Sequence, residues 1–213
     1  MKKLTSIFLI FILICTLSSC NVENTHNTPN DPLSDDPEAP RSGWKDAYLN
    51  FIERREREYD FDYRYALVYI DHDDIPELYA MGICEADGDL ICSYQNDRIV
   101  EQRLGRMCGG KYVERSGMII NQNGHMGQYY DNVYRLDDNG FSQILNASHT
   151  EHCVPLENSE LEMINEYFID GKAVSKDEYH AAISATVDLA KTVDFYENVV
   201  SYDVIKQQIA DCK

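Results

Sequence analysis

The dipeptide Asn139-Gly140, set between YYDNVYRL and FSQIL, restricts the fold more than any other feature of the chain. A two-residue hairpin turn needs left-handed backbone at its centre, and Asn-Gly provides it at the least steric cost. The flanking segments alternate apolar and polar side chains, so they read as paired strands of an antiparallel sheet. The same punctuation recurs along the middle of the chain. LICSYQ and RIVEQRL meet at Asn96-Asp97, a serine and a glycine separate KYVER from GMIINQ, and YFIDGKAV folds back at Asp170-Gly171. YALVYI and ELYAMGI flank a short acidic break. Roughly six to nine short strands joined to their neighbours predict an antiparallel meander, with strong curvature an option.

Helical spacing brackets this meander. Trp44, Tyr48, Phe51 and Ile52 recur on one face, with Ser42 placed to cap the helix. Ser175 and Glu178 form an S-x-x-E capping box ahead of Tyr179, Ile183, Val187 and Ala190. A last helix is expected from near Ser201, with Ile205 and Ile209 turned inward. The expected class is α+β: an N-terminal helix, the meander and two C-terminal helices in a single domain over residues 44–213.

The N-terminus concerns address rather than fold. Lys2 and Lys3 precede LTSIFLIFILICTL, a run of signal-peptide length that falls short of the ~20 apolar residues of a membrane span. It ends in LSSC, Leu17 to Cys20. This segment resembles the export signals of bacterial lipoproteins, whose lipobox joins a leucine and two small residues to a cysteine. The resemblance implies that residues 1–19 are cleaved and that Cys20 carries a diacylglycerol thioether as the acylated first residue. More than one acyl chain makes a stable anchor, so the expected location is extracytoplasmic, at the bacterial membrane. Residues 21–43 hold four of the six prolines and few large apolar side chains, a composition that reads as a disordered tether.

Lys2 and Lys3 leave with the signal, so 17 of the 19 basic residues remain against 37 acidic ones, and the formal charge goes from −18 to −20. Phosphate backbones and anionic headgroups repel such a surface, which excludes nucleic acid as an expected partner. Five cysteines stay thiols in the processed chain: Cys84, Cys92, Cys108, Cys153 and Cys212. An odd number outside the cytoplasm leaves at least one unpaired within the chain. Cys84 and Cys92 lie symmetrically about Gly88 in GICEADGDLICSY, a hairpin in which they form either a cross-strand disulfide or two small buried thiols.

Three stretches carry candidate chemistry. In ALVYIDHDDIPELYA, the carboxylates Asp71, Asp73, Asp74 and Glu77 fall between two strands. Their spacing resembles the calcium loop of FG-GAP and VCBS repeats, D-x-D-x-D-G-x-x-E. The resemblance implies calcium ligation through Asp71, Asp73 and Glu77, with Asp74 at the position of the turn glycine and Tyr69 at that of the first aspartate. The alternative is a polar turn in which aspartates cap their own backbone and Pro76 ends the first strand. In HTEHC, His149, Glu151 and Cys153 alternate onto one strand face as transition-metal ligand types, one short of a closed four-donor site. Among the 15 tyrosines, QYYDNVY places Tyr130 and Tyr134 on one face, and Tyr129 with Val133 on the other. Such residues are commonly half-buried strand formers that pack in the core; the other reading makes Tyr130 and Tyr134 a ligand face, since tyrosine offers a flat apolar ring with a polar tip.

No G-x-S-x-G, H-E-x-x-H, P-loop, dinucleotide fingerprint or C-x-x-C is present. The whole chain also resembles bacterial lipoproteins with a W-K-x-A-Y helix, a D-x-D-D-I-P-E-L loop and a Y-x-I-x-G-x-x-V-S-x-x-E-Y close, here WKDAY, DHDDIPEL and YFIDGKAVSKDEY. That likeness implies an extracytoplasmic place and supplies no activity. The expected function is a non-catalytic binding module for an envelope peptide, glycan or protein; the alternative is an envelope hydrolase using paired carboxylates.

Overall fold

The central strands carry apolar side chains at both odd and even positions, and such strands are stable only where both sheet faces are covered. The computed structural model describes residues 43–58, 61–155 and 160–213; the signal, Cys20, the tether and Ser42 lie outside them. The element order is α1 (Trp44–Glu58), β1 (Arg64–Val68), β2 (Glu77–Ala80), β3 (Asp89–Gln95), β4 (Arg98–Leu104), β5 (Gly110–Val113), β6 (Met118–His125), β7 (Gln128–Asp137), β8 (Gly140–Leu145) and β9 (Ala147–Pro155). It continues with β10 (Leu161–Ile169), β11 (Lys172–Val174), α2 (Lys176–Thr186), β12 (Thr192–Asp194), β13 (Val200–Ser201) and α3 (Tyr202–Asp211). The fold is α+β, as expected. Among the described residues no helix is long and apolar enough to cross a membrane.

The meander is not one sheet. β13-β1-β2-β3-β4 form a five-stranded antiparallel sheet, and β11-β10-β9-β7-β6-β5-β12 an eight-stranded one in which β8 also pairs with β7. The strands beyond the expected number include β12 and β13, two or three residues each, which return from the C-terminal segment to close a sheet edge. Asn96 and Asp97, and Asp170 and Gly171, all have positive φ at their turns as expected, whereas at the third turn Asp137 pairs with Gly140, so Asp138 and Asn139 form the loop and Gly140 alone, at the start of β8, takes positive φ. β8 and β9 run along β7 as one bulged partner, Leu136 facing Phe141 and Tyr130 facing Ser148, with the register shifting between Val133 and Tyr134.

Period-two alternation sorts side chains into four layers. Tyr65, Leu78 and Cys92 face α1 and α3, where they meet Tyr48, Ile52, Ile205 and Ile209. Ala66, Val68, Tyr79 and Ile91 face the second sheet and meet Tyr112, Ile119, Leu136 and Phe195. On the far side of that sheet, Ile120, Val133 and Ala147 pack against Tyr179 and Ile183 of α2. Each fully buried Leu, Ile, Val or Phe among them contributes about 1.5–3 kcal/mol by leaving water. The capping box at Ser175 and Glu178 forms as expected, whereas α2 stops at Thr186, leaving Val187 buried as its cap and Ala190 in a 3-10 turn.

Of the two readings of Cys84 and Cys92, the bridge is not formed, and of the two thiols only Cys92 is buried. β2 and β3 pair only as far as Ala80 with Leu90, so Cys84 lies exposed in the intervening loop while Cys92 is buried opposite Leu78. All five described cysteines are free thiols.

Candidate functional site

Two regions gather polar side chains with defined geometry. The first is the acidic loop between β1 and β2. Asp71 Oδ1 accepts the amide hydrogen of Asp73 at 3.0 Å, and Asp73 Oδ1 that of Ile75 at 2.8 Å, so both aspartates cap their own turn. Glu77 opens β2 inside the core, 1 % exposed, and its Oε2 accepts from the Ile70 amide at 2.8 Å. The loop also docks on the other sheet: the Arg115 amide donates to the Tyr69 carbonyl, and the Ser116 and Gly117 amides to that of Ile70.

Asp71, Asp73 and Glu77 bring one carboxylate oxygen each to within 4.8 Å of one another. Burial pushes the Glu77 carboxyl up to about 8, and burial with the Asp71 charge raises that of Asp73. Asp74 does not join them; it is fully exposed and faces Arg115 at 3.7 Å. Tyr69, where the repeat pattern has its first aspartate, lies under the same guanidinium at 4.6 Å, and Arg115 also donates to the Asp73 carbonyl. Three oxygen donors suit a hard cation, but the fourth is drawn off, and Arg115 already brings positive charge to the loop. A cleft of about 290 Å³ beside the loop is lined by Asp71, Asp73, Asp137 and Asp138 among others. Glu77, whose carboxyl burial raises, is not part of that lining.

The second region is aromatic. Tyr129 of β7, His149 of β9 and Tyr167 of β10 lie directly opposite one another across three strands. Their rings stack, with centroids 4.7 Å and 5.6 Å apart, on the face that α2 partly covers. Gly124 of β6, opposite Tyr129, makes this possible: a Cβ there would stand 2.3 Å from Tyr129 Cδ1. Beside the stack, Gln122 Nε2 donates to Asp131 Oδ1 at 2.8 Å and the Tyr179 hydroxyl to Asp131 Oδ2 at 2.6 Å. Burial and the Asp131 carboxylate push the Tyr179 hydroxyl above the usual phenol range, so it stays a donor. These residues frame an open cleft of about 280 Å³ lined by Gln122, Asn123, Tyr129, Tyr130, Asp131 and His149.

Tyr130 and Tyr134 divide between the two readings. Tyr130 and Tyr134 do share a face, but the first sheet covers its far half, so Tyr134 packs on the inter-sheet core and only Tyr130, 40 % exposed, reaches solvent. Tyr129, assigned to the other face, is the ring that lines the cleft beside it. His149, Glu151 and Cys153 do not assemble as a metal site: His149 is held in the ring stack, and the one group of three ligand-type side chains close enough to share an ion, among the described residues, is Asp71, Asp73 and Glu77. The Asp131 anchor was missed; its signal is Gln122 and Tyr179, remote in sequence and joined only by folding.

No protein-family model, curated protein or solved structure matches the chain.

Proposed function

We propose that the chain is an extracytoplasmic lipoprotein, held at the membrane through Cys20, whose folded domain is a non-catalytic module binding a hydroxyl-rich envelope ligand, a glycan. The observation that carries this reading is the cleft in which the Tyr129 ring, stacked on His149, stands beside a carboxylate fixed by two hydrogen bonds. A flat ring accepts the apolar face of a sugar, while Asp131 and Gln122 offer acceptors and donors for hydroxyl groups. Its openness suits binding at a surface rather than enclosure of a reacting group. The anchor rests on the LSSC motif, and the acidic surface disfavours nucleic acid.

Saccharide-array binding by the full chain in detergent tests the module. Binding to at least one envelope saccharide, weakened tenfold or more in Tyr129→Ala and Asp131→Asn, supports it; retention of none overturns it. Membrane fractionation tests the anchor: a Cys20→Ser chain should leave the membrane fraction.

A second reading, calcium at the acidic loop, is favoured by the convergence of Asp71, Asp73 and Glu77. Those residues would hold the ion, which would supply positive charge to a buried carboxylate and stiffen the loop.

A further inference from the structure

We propose that the free edge of β10, residues 161–166, takes an extended segment of another protein as an added strand, and that this segment carries basic side chains on one face and apolar ones on the other. β10 pairs with β9 along its whole length, from Leu161 opposite Pro155 to Ile169 opposite Ala147. On its other side β11 covers only Tyr167 to Ile169, because the chain turns away at Ser175 to cap α2. Among the described residues no strand follows on, and a cleft of about 390 Å³ opens where β11 stops, between residues 165–168 and 173–176.

The backbone groups of this edge are set for pairing. The two-residue turn at Asp170 and Gly171 makes Ile169 and Lys172 the pair that exchanges both hydrogen bonds, so odd-numbered residues of β10 bond toward β11. Even-numbered positions bond the other way, as the Asp170 amide does to the Asn146 carbonyl. Leu161, Met163 and Asn165 therefore turn their N–H and C=O groups to the open side. Edge strands are ordinarily blocked by proline, lysine or a bulge. Residues 161–169 contain neither proline nor lysine, and their nine pairs with β9 run without a shift.

The side chains specify the occupant. Leu161, 69 % exposed, and Met163, 56 % exposed, lie on the face toward α2, in line with Tyr167. Glu162 and Glu166 stand exposed on the opposite face. An added strand places side chains about 5 Å from these, so opposite charge is favoured on the glutamate face and apolar contact on the other. A second copy paired antiparallel about Ile164 would set Glu162 against Glu166 of the other chain, like charges directly opposed, whereas a basic segment meets both glutamates favourably. The added strand is thus a basic, amphipathic segment, recognised through the main chain.

The test uses the full chain and two labelled octapeptides, alternating Lys-Val and alternating Glu-Val, read by fluorescence polarisation. The Lys-Val peptide should bind at least tenfold tighter. Met163→Pro removes one open-edge N–H without touching the β9 ladder and should weaken binding at least tenfold. If that variant does not fold, the Glu162→Lys/Glu166→Lys pair, which alters exposed side chains only, decides by reversing the preference. Asp131→Asn should leave peptide binding unchanged, which separates this edge from the aromatic cleft. Equal binding of both peptides, binding of neither, or a concentration-dependent dimer abolished by Met163→Pro overturns the proposal.

Discussion

The Glu77 carboxylate accepts the Ile70 amide hydrogen at 2.8 Å, so a buried acid closes the loop that joins the first two strands of the first sheet. Burial holds this carboxyl at about 8 against an ordinary 4.5. Between those values the folded chain keeps a proton that the unfolded chain has released. The stabilisation is therefore complete below about pH 4.5 and is lost as pH rises through 8, by at most roughly 1.4 kcal/mol per unit. In chelator, Tm should fall from pH 5 to pH 8. Glu77→Gln keeps an acceptor for Ile70 and should flatten that slope; parallel curves for the two proteins would place the titration elsewhere.

Calcium should counteract the same slope. If the triad takes the ion, millimolar calcium should raise Tm at pH 8 relative to chelator, by the equivalent of about 2.7 kcal/mol at a hundredfold excess over Kd. Asp71→Asn with Asp73→Asn should abolish the shift. A Tm indifferent to calcium leaves the loop a polar turn.

Tyr179 and Asp131 tie α2 to the aromatic cleft at 2.6 Å. A hydrogen bond to a charged acceptor contributes about 1.5–3 kcal/mol, so Tyr179→Phe should destabilise by that amount in urea unfolding. In a double-mutant cycle with Asp131→Asn the two losses should overlap. Strict additivity would mean that the pair is not coupled.

Gly117 has a φ of +74°, and a Cβ there would stand 2.5 Å from the Leu136 carbonyl oxygen. Gly117→Ala should cost about 2 kcal/mol or more, a fall in Tm of roughly 4–8 °C for a domain of this size. An unchanged melting curve would show that the β5–β6 turn yields easily.

What the sequence disclosed was local. The turns at Asn96-Asp97 and Asp170-Gly171 could be read because left-handed backbone selects residue types within four positions, whereas at Asn139-Gly140 only Gly140 is left-handed and the loop itself is Asp138-Asn139. The division into two sheets was hidden, because β4 and β5 follow one another like any neighbouring strands and only Ile91 and Ile119 meeting across the gap reveal the layers. Asp71, Asp73 and Glu77 converge as their spacing implied, while Asp74 does not, because Arg115 from another hairpin draws it away. Alternation gave the parity of Tyr130 and Tyr134 correctly, but it could not show which half of their face a second sheet would cover.

The pairing of Arg64 with Ser201 has a kinetic consequence. β1, one of the first elements made, gains its edge partner only when residue 201 exists, and α1 packs on Ile205 and Ile209 of α3. Lys45 donates to the carbonyls of Ala210 and Cys212, so the start of the domain grips its end. Closing a loop of that length must precede the contacts that reward it. The half of the domain synthesised first is thus the half that must wait, and the last dozen residues act as the latch that lets it fold.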